Sequence, residues 1–315
     1  MQRFTRGREI LRKNIAYLSI LSGAALWGMI GLFVTYLYEA GFTPTHVVAI
    51  RALSASSFLL IFNLIKNKNA LKIKISDSKY FIGTGIISIV FFNWFLFQCM
   101  KETSISIASI LLYTAPAFVT IFSRLFFKEA LTLRKISALL ITFLGCILVI
   151  GLFPSTSQSV SIYGLLLGLG SGFFYALYSI FGKFALQKYS SLTVTVYTFI
   201  FAALAITPVS GIWETGSLLL HFDVWLSILG LGLFSTLFAF LLYTKGLETV
   251  ESSRASIMAT VEPVVASLVG FFVFKEMLSL WQYIGIFFVL LAVMIVQEKK
   301  RKPTEDSPSI ASEVI

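Results

Sequence analysis

The charged residues divide this chain into apolar runs of bilayer-crossing length, a pattern that no soluble fold accommodates. No charge lies between Lys13 and Glu39, Lys79 and Lys101, or Glu102 and Arg124. The same holds from Lys188 to Glu214, Asp223 to Lys245 and Glu276 to Glu298. Two further runs carry one charge each, Arg51 between Glu39 and Lys66, and Glu262 between Arg254 and Lys275. The stretch from Lys135 to Lys183 is too long for one crossing and breaks at the polar cluster Pro154 to Ser159. Ten spans result, near 15–38, 43–65, 79–100, 104–127, 134–152, 160–184, 190–213, 223–244, 252–274 and 279–297. Charged residues make up only 13% of the 315 residues, about half of what a soluble domain uses to cover its surface. A soluble enzyme is excluded. The net charge of +10 does not indicate nucleic acid, because the basic residues cluster at the ends of the apolar runs.

Ten spans place both termini on one side, and the basic residues say which. Twenty-two of the 25 Lys and Arg residues fall in the two termini and the even-numbered connections, against Lys101 and Lys275 on the other side. The positive-inside bias therefore predicts cytoplasmic termini in a multi-pass cell-membrane protein, presumed to be a bacterial inner or plasma membrane. The first apolar run is too long for a cleaved signal peptide and reads as a retained signal-anchor. Residues 1–14 form a basic N-terminus, and the polar tail 298–315 reads as disordered. Cys99 and Cys146 sit inside apolar runs and suggest neither a disulfide framework nor a metal site.

Residues 102–150 match 249–297 at a constant offset of 147. Ser106/Ser253, Ala108/Ala255, Ser109/Ser256 and Ile110/Ile257 coincide, as do Pro116/Pro263 and Phe127-Lys128-Glu129/Phe274-Lys275-Glu276. Apolar composition produces chance Leu and Ile matches. It does not readily produce a shared Ala-Ser-Ile, a central Pro and a Phe-Lys-Glu in register. Each repeat then holds five spans, 15–152 and 160–297. Five is odd, so the second copy enters the membrane from the opposite face. The expected fold is an all-α integral membrane protein, ten transmembrane helices as two inverted five-helix repeats around a central cavity. Secondary transporters use this architecture, because exchanging the conformations of the halves turns an inward-open cavity outward.

The chain resembles ten-span carriers of the drug/metabolite transporter superfamily, EamA type, over roughly 17–297. The residues that carry the resemblance are Ala25-Leu26-Trp27-Gly28, Arg51-Ala52-Leu53 and Tyr175-Ala176-Leu177-Tyr178. To these add Ala108-Ser109-Ile110 to Pro116 with Lys128-Glu129, and Ala255-Ser256-Ile257 to Glu262-Pro263 with Lys275-Glu276. The resemblance implies one membrane domain with a cavity between two halves. It implies a secondary carrier of small metabolites or amino acids, with export as the prior direction. Related carriers move amino acids, sugars, nucleotide sugars and xenobiotics.

Glu262 is the first candidate site residue. A carboxylate in hydrocarbon costs several kcal/mol unless paired, protonated or hydrated. Its counterpart in the first repeat is Ala115, so the symmetric fold does not demand an acid there. That asymmetry suits proton coupling or recognition of a cationic group. Pro263 beside it removes a helical hydrogen bond, as Pro116 does in span 4. Ser109, Tyr113 and Pro116 share one face of span 4, and Ser256, Thr260 and Pro263 mirror them in span 9. Tight helix packing is the plainer explanation of small residues, whereas Tyr and Ser on one stripe point to a cavity wall. Trp27, Tyr175, Tyr178 and Tyr243 are candidate aromatic walls, and Asn93, Trp94 and Gln98 are candidate buried polar groups. Arg51 and His46 have plainer explanations. Span 2 is expected at the periphery, where Arg51 would snorkel or pair with Glu39, and His46 would sit at the interface. Lys128-Glu129 and Lys275-Glu276 read as turn-defining charges.

No catalytic triad, Walker loop, carboxylate cluster or His-x-x-x-His pair appears, so no cofactor, metal or ATP coupling is expected. The expected partners are a small-molecule substrate and the lipid bilayer, with a homodimer open and nucleic acid excluded. Two alternatives remain at this point. One is uptake or exchange of sugars or nucleotides. The other, of a different class, is an intramembrane lipid-modifying enzyme.

Overall fold

The structure is a computed structural model that describes residues 2–151 and 161–297, with side chains at residue 8 and from residue 11 onward. The polar cluster 154–159, the tail 298–315 and the Arg3 and Arg6 side chains lie outside the described residues. Among the described residues the chain is helical, with no strand. Eight helices are long and apolar enough to cross a membrane. In chain order they include α1 (Leu11–Glu39), α2 (Pro44–Lys66), α3 (Ile75–Glu102) and α4 (Ile105–Phe127). After α5 (Leu133–Val149) come α6 (Ile162–Leu186), α7 (Ser191–Ser210), α8 (Phe222–Leu247) and α9 (Ser252–Phe272). The shorter apolar helix α10 (Leu280–Val296) follows. The helices α5 and α10 are only 17 residues long and pack on each other along their length. Gly145 and Gly285 make that approach: a Cβ on Gly285 would lie 2.6 Å from the Val149 amide nitrogen. Small residues at such contacts let helix backbones meet, which is how helices associate when lipid removes the hydrophobic drive.

The 147-residue offset reappears in local geometry. A π-helical stretch widens α3 at Gly83–Val90 and α8 at Gly230–Phe238. The helix breaks at Tyr113–Thr114 in α4 and at Thr260 in α9. Lys128 and Lys275 both adopt left-handed backbone, with φ of 55° and 59°. The amide of the next residue then bonds back six positions, Glu129 to Ser123 and Glu276 to Gly270. A left-handed residue closes each helix in the same way, and the Phe-Lys-Glu repeat is its sequence signature. Packing is two-fold as well: α1 lies on α8 as α6 lies on α3, α9 on α1 as α4 on α6, and α2 on α7.

The expected peripheral place of α2 is not what is found. It packs against α7 and the π-helical stretch of α8, so its Arg51 face turns inward. Trp94 is likewise corrected: it is half exposed on the outer surface, while its neighbour Asn93 is buried.

Candidate functional site

The two helix breaks set the site. Pro116 falls in the first turn after the α4 break, and Pro263 has no amide hydrogen to continue α9. The break at Thr260 puts Glu262 in the first turn of the half-helix Val261–Phe272. A carboxylate is favoured there, where unpaired backbone amides give the helix end partial positive charge. Tyr113 and Tyr175 line the same cavity as the Glu262 carboxylate, and the field of the Arg51 guanidinium falls on it. Arg51 is steered inward by a hydrogen bond from Nε to Thr236 Oγ1, 3.2 Å. Tyr113 and Arg51 come from the first copy, Tyr175 and Glu262 from the second, so the carboxylate stands on the seam between them.

Three adjoining small cavities run along this seam, each with room for little more than one water molecule. The first is lined by Glu262, Tyr113, Pro116, Ser256 and Thr260, and shares Tyr175, Ser179 and Tyr243 with the second. Trp27, Tyr178 and Phe240 complete the second, and Arg51 with Asn93 lines the third. Trp27 meets Phe240 and Tyr243 at ring-centroid distances of 4.9 and 5.1 Å. The wall is rigidified by hydroxyl pairs: Tyr178 with Thr244 at 2.6 Å and Ser179 with Tyr243 at 2.7 Å. The Trp27 Nε1–H is buried and has no hydrogen-bond partner. Leaving a buried donor unpaired costs about 1–3 kcal/mol, which a ligand acceptor would recover.

Of the residues that the sequence singles out, Glu262, Trp27, Asn93, Tyr113, Pro116, Tyr175, Tyr178, Tyr243, Ser256, Thr260 and Arg51 are brought to these cavities. Ser109 is half-buried and lines none of them, although its counterpart Ser256 does. Pro263 is buried beside the cavity without lining it. His46 caps α2: its Nδ1 accepts from the Thr43 amide while Thr43 Oγ1 accepts from the His46 amide, both at 3.2 Å. Sequence reasoning missed Ser179, Phe92 and Phe240, which carry no signal beyond being polar or aromatic in a span. It also missed the closeness of Gly28 to the site. A Cβ there would lie 2.6 Å from the Glu262 carbonyl oxygen and 2.6 Å from Val265 Cβ.

The sequence profile of the EamA-like transporter family matches residues 14–151 and again 162–297. The chain belongs to the EamA-like transporter family. It is a multi-pass membrane protein whose two halves are two copies of the family's domain. A protein named as an uncharacterized transporter of Archaeoglobus fulgidus is 31% identical over 278 residues, 87% of this chain and 95% of its own length. The uncharacterized transporter YwfM of Bacillus subtilis is 25% identical over 93% of this chain and 97% of its own. The uncharacterized inner membrane transporter YicL of Salmonella typhimurium is 24% identical over 90% of this chain and 96% of its own. A protein of known crystal structure superposes with a TM-score of 0.75 over 89% of this EamA-like chain and 95% of its own, at 17% identity. The fold is therefore one already seen by crystallography.

Proposed function

We propose that this EamA-like transporter is a secondary carrier working by alternating access, with ten spans arranged as two inverted five-helix repeats, 15–152 and 160–297. The observation that carries the reading is the position of Glu262. It stands at a helix break on the seam between the copies, with Tyr113 and Tyr175 in reach and Arg51 acting on it from the opposite half. A half-buried acid between two movable halves can exchange a proton or a cationic group with whichever face is open. Arg51 and Asn93 at one end of the cavity line and the unpaired Trp27 indole in the middle suit a small solute with an anionic or acceptor group.

The direction we propose is export across the cell membrane, both termini being cytoplasmic on the distribution of Lys and Arg. The protein moves its solute without altering it and works without a cofactor. Untargeted comparison of metabolites in cells with and without the protein tests the reading. Export predicts one solute class depleted inside the producing cells and enriched in their medium. Enrichment inside instead would reverse the direction, toward uptake or exchange. A covalently altered lipid in place of a moved solute would replace the carrier by an enzyme. Reporters check the topology: one after Lys302 is expected to be active only in the cytoplasm and one at Ser157 only outside. Both on one side would contradict an odd number of spans between them.

A further inference from the structure

The repeat is symmetric in sequence but not in the state of its two Phe-Lys-Glu turns, and the difference describes a latch. Glu129 is buried and bridges to the start of α9, more than a hundred residues away. Its Oε1 accepts from the Ser252 amide at 2.7 Å, and its Oε2 accepts from the Ser253 amide at 3.2 Å and from the Ser253 hydroxyl. These are the first two amides of α9, which have no partner inside the helix. Carboxylate acceptors on such amides are among the stronger hydrogen bonds. Lys135, fully buried, ties Glu129 at 3.5 Å to Glu251 at 3.0 Å, and Arg254 also holds Glu251. Burial pushes the Glu251 carboxyl up, but Arg254 and Lys135 outweigh it and hold it below the usual carboxylate range. One end of the bundle is thus pinned shut between α4–α5 and α9.

At the other end the equivalent residues are apart. Glu276, the counterpart of Glu129, is exposed, and its carboxylate lies against Gly270 on its own helix. The counterparts of Ser252 and Ser253 are Ile105 and Ser106 at the start of α4. Ser104 caps that start with its own hydroxyl, accepting from the Ile107 amide at 3.2 Å. Among the described residues Glu276 reaches neither Ile105 nor Ser106. The counterpart of Gly270 is Ser123, so the first copy has a side chain where the second leaves space for a folded-back glutamate.

The geometry points to Glu129 and Glu276 as alternating latches: Glu129 on Ser252–Ser253 closes one face, and Glu276 leaves Gly270 to close the other by capping Ile105–Ser106. The inference rests on the carrier reading and supplies the contacts that hold each end state. Because Ser106 and Ser253 are identical, each latch has the same hydroxyl to receive it. The amide and hydroxyl contacts are of the same kind in both latches, while Lys135 and Glu251 have Gln282 and Ser104 as counterparts, so the Glu129 latch is the tighter of the two.

Side-specific thiol labelling tests this without knowledge of the substrate. A Ser256→Cys reporter, with Cys99 and Cys146 replaced by alanine, is exposed to a membrane-impermeant maleimide from each face of sealed vesicles. With both latches intact, reaction is expected from the Glu276 face. Glu129→Gln weakens the closed latch and is expected to raise labelling from the Glu129 face about tenfold. Gly270→Ala places a methyl where the Glu276 carboxylate rests, displacing it, and is expected to act in the same direction. Glu276→Gln is expected to act oppositely, reducing labelling from the Glu129 face below that of the unaltered latches. An unchanged pattern in Glu129→Gln, or a shift of the same sign in Glu129→Gln and Glu276→Gln, overturns the latch and leaves the carrier reading standing. Inertness from both faces in every variant overturns both.

Discussion

Glu262→Gln is expected to reach the membrane in normal amounts and to lose about 10- to 100-fold of its gradient-driven transport. The amide keeps the shape of the acid beside Tyr113 and Tyr175. It cannot carry a proton, and it removes the negative charge that faces Arg51 across the seam. Hydrogen bonds to a charged group contribute about 1.5–3 kcal/mol, which corresponds to that range of rates. Exchange of solute at equal pH on both sides is expected to survive better, because exchange need not release the proton. Initial rates in vesicles with an imposed pH gradient, against rates without one, separate these cases. Normal transport at every pH would remove Glu262 from coupling. Degradation of the variant before it reaches the membrane would make the residue structural.

Gly28→Val is expected to destabilise the protein by about 1–3 kcal/mol and to cut transport at least as strongly. At Gly28 the backbone of α1 rests on the Glu262 carbonyl, so any Cβ forces α1 and α9 apart where the carboxylate is positioned. Gly28→Ala is expected to fall between valine and the natural residue. Gly31, one turn later, has nothing within 4 Å of a built Cβ. Gly31→Ala is therefore expected to be neutral or slightly stabilising, since alanine is the better helix former. Thermal unfolding of the detergent-purified variants measures the order. Equal losses at Gly28 and Gly31 would show that flexibility, not close approach, is what glycine contributes here.

Much of the fold is legible in the sequence because its constraints are local. Charges bound each apolar run, and a bilayer fixes the length of the segment between them. The repeat is legible because Ala-Ser-Ile, Pro and Phe-Lys-Glu recur at one spacing. Glu262 declares itself for the same reason, as an acid where the other copy has Ala115. Features that depend on packing between distant segments are not legible in this way. Whether Arg51 faces lipid or cavity is decided by α7 and α8, and Thr236 is 185 residues away from it. Ser109, Tyr113 and Pro116 share one face of an ideal helix, but α4 breaks at Tyr113–Thr114 and only Tyr113 and Pro116 line the cavity. Phe-Lys-Glu predicts its own turn, whereas the partner of Glu129 lies at the start of another helix.

The most direct test of the carrier is counterflow in proteoliposomes. Purified protein is reconstituted with a high internal concentration of the solute class found by metabolite comparison, and trace labelled solute is added outside. An alternating-access carrier is expected to draw the label inward transiently against its gradient, to return it chemically unchanged, and to lose gradient-driven accumulation in Glu262→Gln. Label that never exceeds simple equilibration, or that is recovered covalently altered, would contradict alternating access around Glu262.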